Sequence, residues 1–207
     1  MYGQTVTERK PFVVGLAGGS GAGKTTVARA LNEAVPDAAL ISYDSYYRDQ
    51  SHLTLDERHE INYDHPDSFE TELFVKHLDA LAEGTAVDVP LYDYSQHVRG
   101  DRIQRVEPGT GLILEGILLF VDPDLRSRID LKVYVDTRAD TRISRRMRRD
   151  VTDRGRTVAS VLAQWEATVR PMHDQFVAPT RAFADLVILG GHNGPAIEAL
   201  AARMRGA

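Results

Sequence analysis

Residues Gly18 to Thr25 read GGSGAGKT, a match to the pattern G-x-x-x-x-G-K-S/T. Gly18, Gly19, Gly21 and Gly23, with small Ser20 and Ala22 between them, let successive backbone N–H groups turn toward phosphate oxygens, and a following helix directs its positive end at the same place. Lys24 reaches the outer phosphates, and Thr25, followed by Thr26, offers a hydroxyl to Mg²⁺. The flanks agree with this reading. Phe12 to Leu16 (FVVGL) is a short β-branched run of the kind that forms a buried strand. Val27, Leu31 and Val35 recur at spacing four until Pro36 stops the helix they predict. No G-x-G-x-x-G runs through the glycines, and no N/T-K-x-D, HExxH or GxSxG pattern occurs. What remains is a nucleoside triphosphatase or a kinase.

Outward from this loop, apolar runs at Ala39 to Ile41, Leu112 to Leu114, Leu131 to Val135 and Leu186 to Leu189 alternate with helical patterns. Those patterns fall at about Phe69 to Leu81, Ala139 to Val151, Val158 to Val169 and Pro195 to Met204. Such alternation predicts an α/β protein of the P-loop NTPase fold, a five-stranded parallel sheet flanked by helices. Val87 to Val106 breaks the rhythm with Pro90, alternating Tyr92 and Tyr94, and a return through Arg102, Ile103 and Val106, and reads as a small β insertion. In a chain of 207 residues without repeat or linker, we expect a flexible N-terminus over 1–10 and a single domain over 11–207. The insertion spans 86–107 and an Arg-rich lid 138–157.

Composition narrows the function classes. Hydrophobic residues make up 43% and charged residues 27%, which suits a globular core. There is no Cys, so disulfides, thiolate metal sites and Cys nucleophiles are excluded. Nothing resembles a signal peptide or a membrane span of about 20 apolar residues, so a soluble, cytoplasmic protein is expected. The net charge of -5 has the wrong sign for coating a nucleic acid or an anionic membrane. Yet there are 21 Arg and only 4 Lys, and from Arg138 to Arg156 eight Arg meet three acids. The segment carries +5 and the rest of the chain -10.

On a helix, Arg142, Arg145, Arg146 and Arg149 share one face, and Ala139, Ile143, Met147 and Val151 form an adjoining apolar stripe expected to anchor it. Arg154 and Arg156 follow on a Gly155 loop. Guanidinium forks suit phosphates and the charge that develops during transfer, so we read a lid closing over a triphosphate. A merely solvated face is the competing reading, and an RNA-binding stripe is disfavoured by the acidic remainder and the lack of interleaved aromatics.

Four further stretches offer site residues. Glu115 ends the apolar strand LILEG, where such folds place an acid beside magnesium, although a surface Glu after a strand reads the same way. Asp44, in ISYDSYYRD after the second strand, should face the phosphates and could take the proton of an acceptor hydroxyl; an Asx-turn role stays open. In NYDHPD, Asp64 could hold a diol and Tyr63 cover an apolar ligand face, or the loop could simply cap the helix starting near Ser68. In YDYSQH, two aromatics and His97 suit a planar heteroaromatic ring, with an edge strand bearing a surface His as the alternative.

These motifs occur together and in order: GGSGAGKT, YDSYYRDQSHL, NYDHPD, VPLYDYSQHVR, ILEGIL, VDTRADTRISRRMRRDVTDRGR, RPMHDQF and ADLVIL. The chain thereby resembles the uridine kinases (uridine-cytidine kinases) of the phosphoribulokinase/uridine kinase family from about Phe12 to Ile197. The resemblance implies transfer of the γ-phosphate of ATP or GTP to the 5′-hydroxyl of uridine or cytidine with Mg, in pyrimidine salvage. It implies Asp44 as base, Lys24, Arg146 and Arg154 on the phosphates, and Thr25 and Glu115, with Asp44, at the metal. It also implies Asp64 and Arg149 on the ribose hydroxyls, Tyr63, Tyr92, His97 and Arg156 around the pyrimidine, Tyr47 in the acceptor pocket, and Gln164 bonding substrate or lid. A homotetramer is implied as well. Because imidazole can donate or accept, His97 predicts activity on both nucleosides. The family usually carries Pro-Arg before the late glycine pair, whereas here Leu189 leads directly into Gly190 and Gly191, which leaves donor preference open. A phosphoribulokinase-like sugar-phosphate kinase, or a non-catalytic nucleotide-dependent regulator, are the alternatives.

Overall fold

The computed structural model describes residues 10–191 and 193–206, so the terminus expected to be flexible lies outside it except for Lys10. Five parallel strands form the central sheet: β1 (Phe12–Ala17), β2 (Ala38–Ser42), β5 (Gly111–Glu115), β6 (Leu131–Asp136) and β7 (Leu186–Leu189), in the order β2-β5-β1-β6-β7. Burial explains the central strands, whereas the edge strand β7 leaves Leu186, Val187 and Leu189 exposed. β1 sits mid-sheet with Val13 and Ala17 buried on one face and Val14 and Leu16 on the other. A continuous apolar run is the pattern a strand covered on both faces requires.

On one face, α1 (Lys24–Ala34) and α8 (Gly194–Arg205) seat Val27, Leu31, Leu200 and Ala201 on Val14, Leu16, Ile113 and Val133. On the other, α3 (Thr71–Ala82) presents Phe74, Leu78 and Leu81, joined by Phe120 and by Leu125 of the short helix α4 (Pro123–Ser127). A fully buried Phe such as Phe120 stabilises the fold by roughly 2–3 kcal/mol through removal from water. The short α2 (Leu55–His59) begins with a capping box in which Thr54 and Glu57 exchange bonds.

The interruption at 87–106 is an antiparallel hairpin of β3 (Val87–Asp93) and β4 (Val98–Val106), with a register shift between Pro90 and Tyr92. Pro90 lacks a ladder donor, so a bulge beside it is the expected accommodation. At the tip, the Asp93 carboxylate accepts from the Ser95 and Gln96 amides, and the next residue, His97, is held at φ +49°, rare for a residue with a side chain.

Two helical expectations are revised. α5 (Ala139–Asp153) forms, but its buried residues are Arg142, Arg146 and Asp150, whereas Ala139 and Val151 of the expected anchoring stripe are exposed and Ile143 and Met147 only half-buried. The charged face turns inward because it packs on a polar cleft, described below. The helix expected to end at Val169 instead begins as α6 (Val158–Gln164) and runs on to Val177, through π-type turns at Trp165–Val169 and His173–Val177 around the single α-helical turn α7 (Arg170–Met172). Pro171 removes a backbone donor, and the wider turn on its N-terminal side absorbs the break in the i to i−4 ladder.

Candidate active site

In an open parallel sheet, ligands gather at the carboxyl ends of the strands. Here Ala17, Ser42, Glu115 and Asp136 end β1, β2, β5 and β6 along one edge, and the glycine loop bridges β1 to α1. Gly18, Gly21 and Gly23 have φ of +143°, +79° and +98°. A Cβ on Gly18 would run into the Val135 carbonyl, and one on Gly21 into the Arg142 carbonyl, so glycine is required by contact as well as by conformation. The loop is closed by the Ala22 amide donating to the Gly19 carbonyl at 3.0 Å. Lys24 is buried, with its Nζ 3.3 Å from the Gly19 carbonyl; burial lowers its pKa, against the pull of Glu115 and Asp44. Ser20, Lys24, Thr25 and Thr26 line a groove that also contains Asp44 and Glu115.

At the floor of this groove, Thr25 Oγ1 and Ser42 Oγ both donate to Glu115 Oε1, at 3.2 Å and 3.0 Å. Asp44 lies in a 3₁₀ turn at Tyr43–Tyr46, and its Oδ1 is shut away from solvent without a hydrogen-bond partner. Its carboxyl is pushed up to about 6, chiefly by burial and then by Glu115, against Lys24, Arg154 and Arg149. The residues present fit a magnesium ion. All are hard oxygen donors, and the unsatisfied Asp44 oxygen is free to take a cation or a hydroxyl proton. Among the described residues no three acidic or imidazole groups cluster, so water and phosphate oxygens would complete the shell of such an ion.

Beside Asp44 opens a second cavity, lined by aromatic and charged side chains. Tyr47, Tyr63, Tyr92 and His97 form its aromatic wall. Tyr63 stacks on His97 with centroids 4.9 Å apart, and Tyr92 packs on Tyr47 at 4.9 Å. His97 is held down at about 4, first by burial and then by His59, Arg156 and Arg154, so its imidazole is neutral at physiological pH. Asp64, buried, accepts from Thr168 Oγ1 at 3.3 Å; burial raises its pKa while Arg146 opposes the shift. It caps no helix, since in that loop His65 Nδ1 accepts from the Asp67 amide.

Helix α5 and the loop after it roof both spaces. Arg146 Nη1 donates to Ser20 Oγ at 2.7 Å and its Nη2 to Gln164 Oε1 at 2.8 Å. Arg156 donates to the same Gln164 oxygen and, through Nε, to Ser160 Oγ at 3.2 Å, so Gln164 is engaged with lid arginines. Arg149 and Arg154 line the acceptor cavity, and Arg154 stands 4.0 Å over the Tyr94 ring. Burial lowers the pKa of Arg146 and Arg154 below the ordinary guanidinium value, opposed by Asp150 and, for Arg146, by Asp64.

Every residue singled out from the sequence therefore meets at one cleft. Arg142 against Gly19, Arg145 donating to the Ala22 carbonyl at 3.3 Å, and Tyr94 in the cavity lining were among the residues read from the sequence, whereas Ile117, Ser42 and the buried Asp150 were not anticipated. Asp150 had a signal in its spacing of four from both Arg146 and Arg154. Among the described residues no helix is long and apolar enough to cross a membrane.

A model of the phosphoribulokinase/uridine kinase family matches residues 13–193. A protein named uridine kinase from Geobacillus sp. (strain WCH70) is 49% identical over 200 residues, 95% of each chain. One of the same name from Chloroflexus aurantiacus is 49% identical over 95% of this chain and 96% of its own. A solved structure from Silicibacter sp. TM1040, described as a fructose transport system kinase, superposes with a TM-score of 0.69 at 23% identity over 91% of this chain and 93% of its own. At that identity it shows the fold alone.

Proposed function

The chain belongs to the phosphoribulokinase/uridine kinase family, and we propose that it transfers the γ-phosphate of ATP or GTP to the 5′-hydroxyl of uridine and cytidine. The observation that carries this reading is the unpartnered, buried Asp44 oxygen placed between the phosphate groove and an aromatic-walled acceptor cavity. Phosphoryl transfer asks mainly for positioning and charge stabilisation.

The glycine loop and Lys24 hold the donor's phosphates. In the cavity, Tyr63, Tyr92 and His97 enclose the pyrimidine, Arg156 borders it, and Asp64 and Arg149 take the ribose hydroxyls. Tyr47 closes the floor and leaves the 5′-hydroxyl toward Asp44. As the 5′-oxygen bonds to the γ-phosphorus, its proton passes to Asp44 and the bond to the β,γ-bridging oxygen breaks, releasing the nucleoside diphosphate. Arg146 and Arg154 stabilise the charge on the transferring group. Mg²⁺ held by Thr25, Glu115 and Asp44 would neutralise phosphate charge. A neutral His97 can donate to a ring carbonyl or accept from an exocyclic amine, which supports use of both bases. Within the single domain we assign 86–107 to the nucleoside and 138–157 to the lid.

The test is product formation with Mg·ATP and uridine, cytidine, ribulose 5-phosphate or no acceptor. UMP and CMP are expected; ADP formed only with ribulose 5-phosphate, or formed with none of the acceptors, overturns the proposal.

A further inference from the structure

Asp150 is the only acidic residue on the buried face of α5, and it is completely shielded from solvent. Four guanidiniums converge on it. Arg149 Nε donates to Oδ1 at 2.8 Å, Arg154 Nη1 lies 3.5 Å from the same oxygen, and Arg146 Nε and Arg156 Nη1 lie 3.4 Å and 3.9 Å from Oδ2. The Arg156 amide also donates to the Asp150 carbonyl at 3.0 Å, folding the Gly155 loop back over the helix end. These four arginines are the ones that line the acceptor cavity.

The carboxylate sits at the centre of the group without being saturated by any member, since Oδ2 has no hydrogen-bond partner of good geometry. Burial alone would raise its pKa, but Arg149, Arg146 and Arg154 together outweigh burial and hold it below the ordinary carboxylate value, so it stays ionised. Asp150 is the carboxylate that faces all four guanidiniums; Asp64 beside Arg146, and Asp44 toward Arg149 and Arg154, offset them from the cavity side, so a smaller positive surplus remains. The surplus is unfavourable in a partly desolvated cleft until an anion arrives.

We propose that Asp150 is a positioning residue: its buried carboxylate gathers Arg146, Arg149, Arg154 and Arg156 over the cleft and partly neutralises them, leaving the donor's phosphates to complete the balance. The proposal rests on the kinase reading for its kinetic consequence and on the geometry alone for its conformational one. Asp150→Asn keeps the shape and removes the charge. The four guanidiniums then repel, the lid opens in the absence of anions, and donor binding must supply the free energy of closure.

Trp165, the only tryptophan of the chain, reports on the lid because Arg142 of α5 stands 5.3 Å over its ring. The experiment compares the full-length wild type with Asp150→Asn at matched ionic strength, by acrylamide quenching of Trp165 fluorescence with and without inorganic tripolyphosphate, and by kinetics with uridine and Mg·ATP. In the variant, quenching without tripolyphosphate should rise at least about twofold and return to the wild-type value when it is added. KM for Mg·ATP should rise at least about tenfold and KM for uridine by a smaller factor, because Arg149 and Arg156 lose the same partner, while kcat with both substrates saturating falls less than about fivefold. Wild-type quenching with an unchanged KM for Mg·ATP overturns the proposal. So does raised quenching that tripolyphosphate does not reverse, accompanied by loss of kcat in step with loss of folded protein, since that is a purely structural ion pair. If the wild type fails to phosphorylate uridine, the kinase reading falls, and the tripolyphosphate arm still decides the role of Asp150.

Discussion

Replacing Asp44 by Asn should cut turnover sharply and stabilise the protein at the same time. The carboxyl rises from 3.8 to about 6, first because of burial and then because of Glu115. At ~1.36 kcal/mol per pK unit this corresponds to roughly 3 kcal/mol, and screening through the open side of the cleft reduces it to about 1–2 kcal/mol. The sign follows from the direction. A carboxyl whose folded pKa is raised favours the folded state when protonated, and that contribution is lost as pH rises through about 6. Above pH 7 the ionised group therefore costs stability, and a neutral amide of the same shape removes the cost. For a domain of this size Tm should rise by about 2–8 °C at pH 7.5, and by much less at pH 4.5, where Asp44 is already protonated. Turnover should fall by ~10²-fold or more, the lower range for loss of a positioned general base, since a loose phosphoryl transition state asks little of it. Calorimetry at the two pH values and single-turnover kinetics with Mg·ATP and uridine measure both. Turnover within about threefold of wild type, or a lower Tm at pH 7.5, would refute the assignment of Asp44 as a strained, functional carboxylate.

Three further outcomes are expected. With an essential base near 6, kcat should drop about tenfold between pH 7 and pH 5, while the uridine-to-cytidine ratio stays constant because His97 titrates only near 4; a ratio that swings across this window contradicts a neutral imidazole. Gly21→Ala should lower stability by roughly 2 kcal/mol or more and eliminate nucleotide binding by equilibrium titration, since the residue sits at φ +79° with the Arg142 carbonyl where a Cβ would go. Glu115→Gln can still accept from Thr25 and Ser42 but loses its charge, so the Mg²⁺ concentration for half-maximal rate should rise about tenfold with little change in Tm; an unchanged magnesium titration removes Glu115 from the metal site.

The fold was legible because its deciding features are local. The buried run Phe12–Ala17, the glycines forced by positive φ, and the spacing of Val27 and Leu31 each encode one element without reference to the rest. Strand order was not legible in that way. Placing β5 between β2 and β1 depends on Gly111–Glu115 pairing with strands about 70 and 100 residues away, and no short-range pattern records this. The cleft residues fell between these cases. Asp44, Asp64 and His97 could be nominated because each follows a strand or turn that points to the ligand edge. That Asp64 faces the cavity and leaves capping to His65 depends on tertiary placement, including its contact with Thr168, which no local pattern records.

The reversal of α5 has a physical cause that also bears on mechanism. A helical wheel assigns the apolar stripe to the interior on the premise that the charged face meets water. In this helix the charged face meets a cleft built for polyanions, so Arg142 and Arg146 are buried and Val151 is exposed. Anchoring is then done by side chains that carry charge: Arg146 is held by Ser20 of the phosphate loop and by Gln164, and Arg154 by the face of Tyr94 from the hairpin tip. The lid is consequently fastened to the two surfaces that the donor and the acceptor would cover. Phosphates entering the groove compete for Arg146, and a base entering the cavity crowds Tyr94. The acidic average of the chain fits this arrangement, because a net positive charge over 138–156 in an otherwise net negative molecule draws small anions to the cleft and leaves the remaining surface repulsive to them.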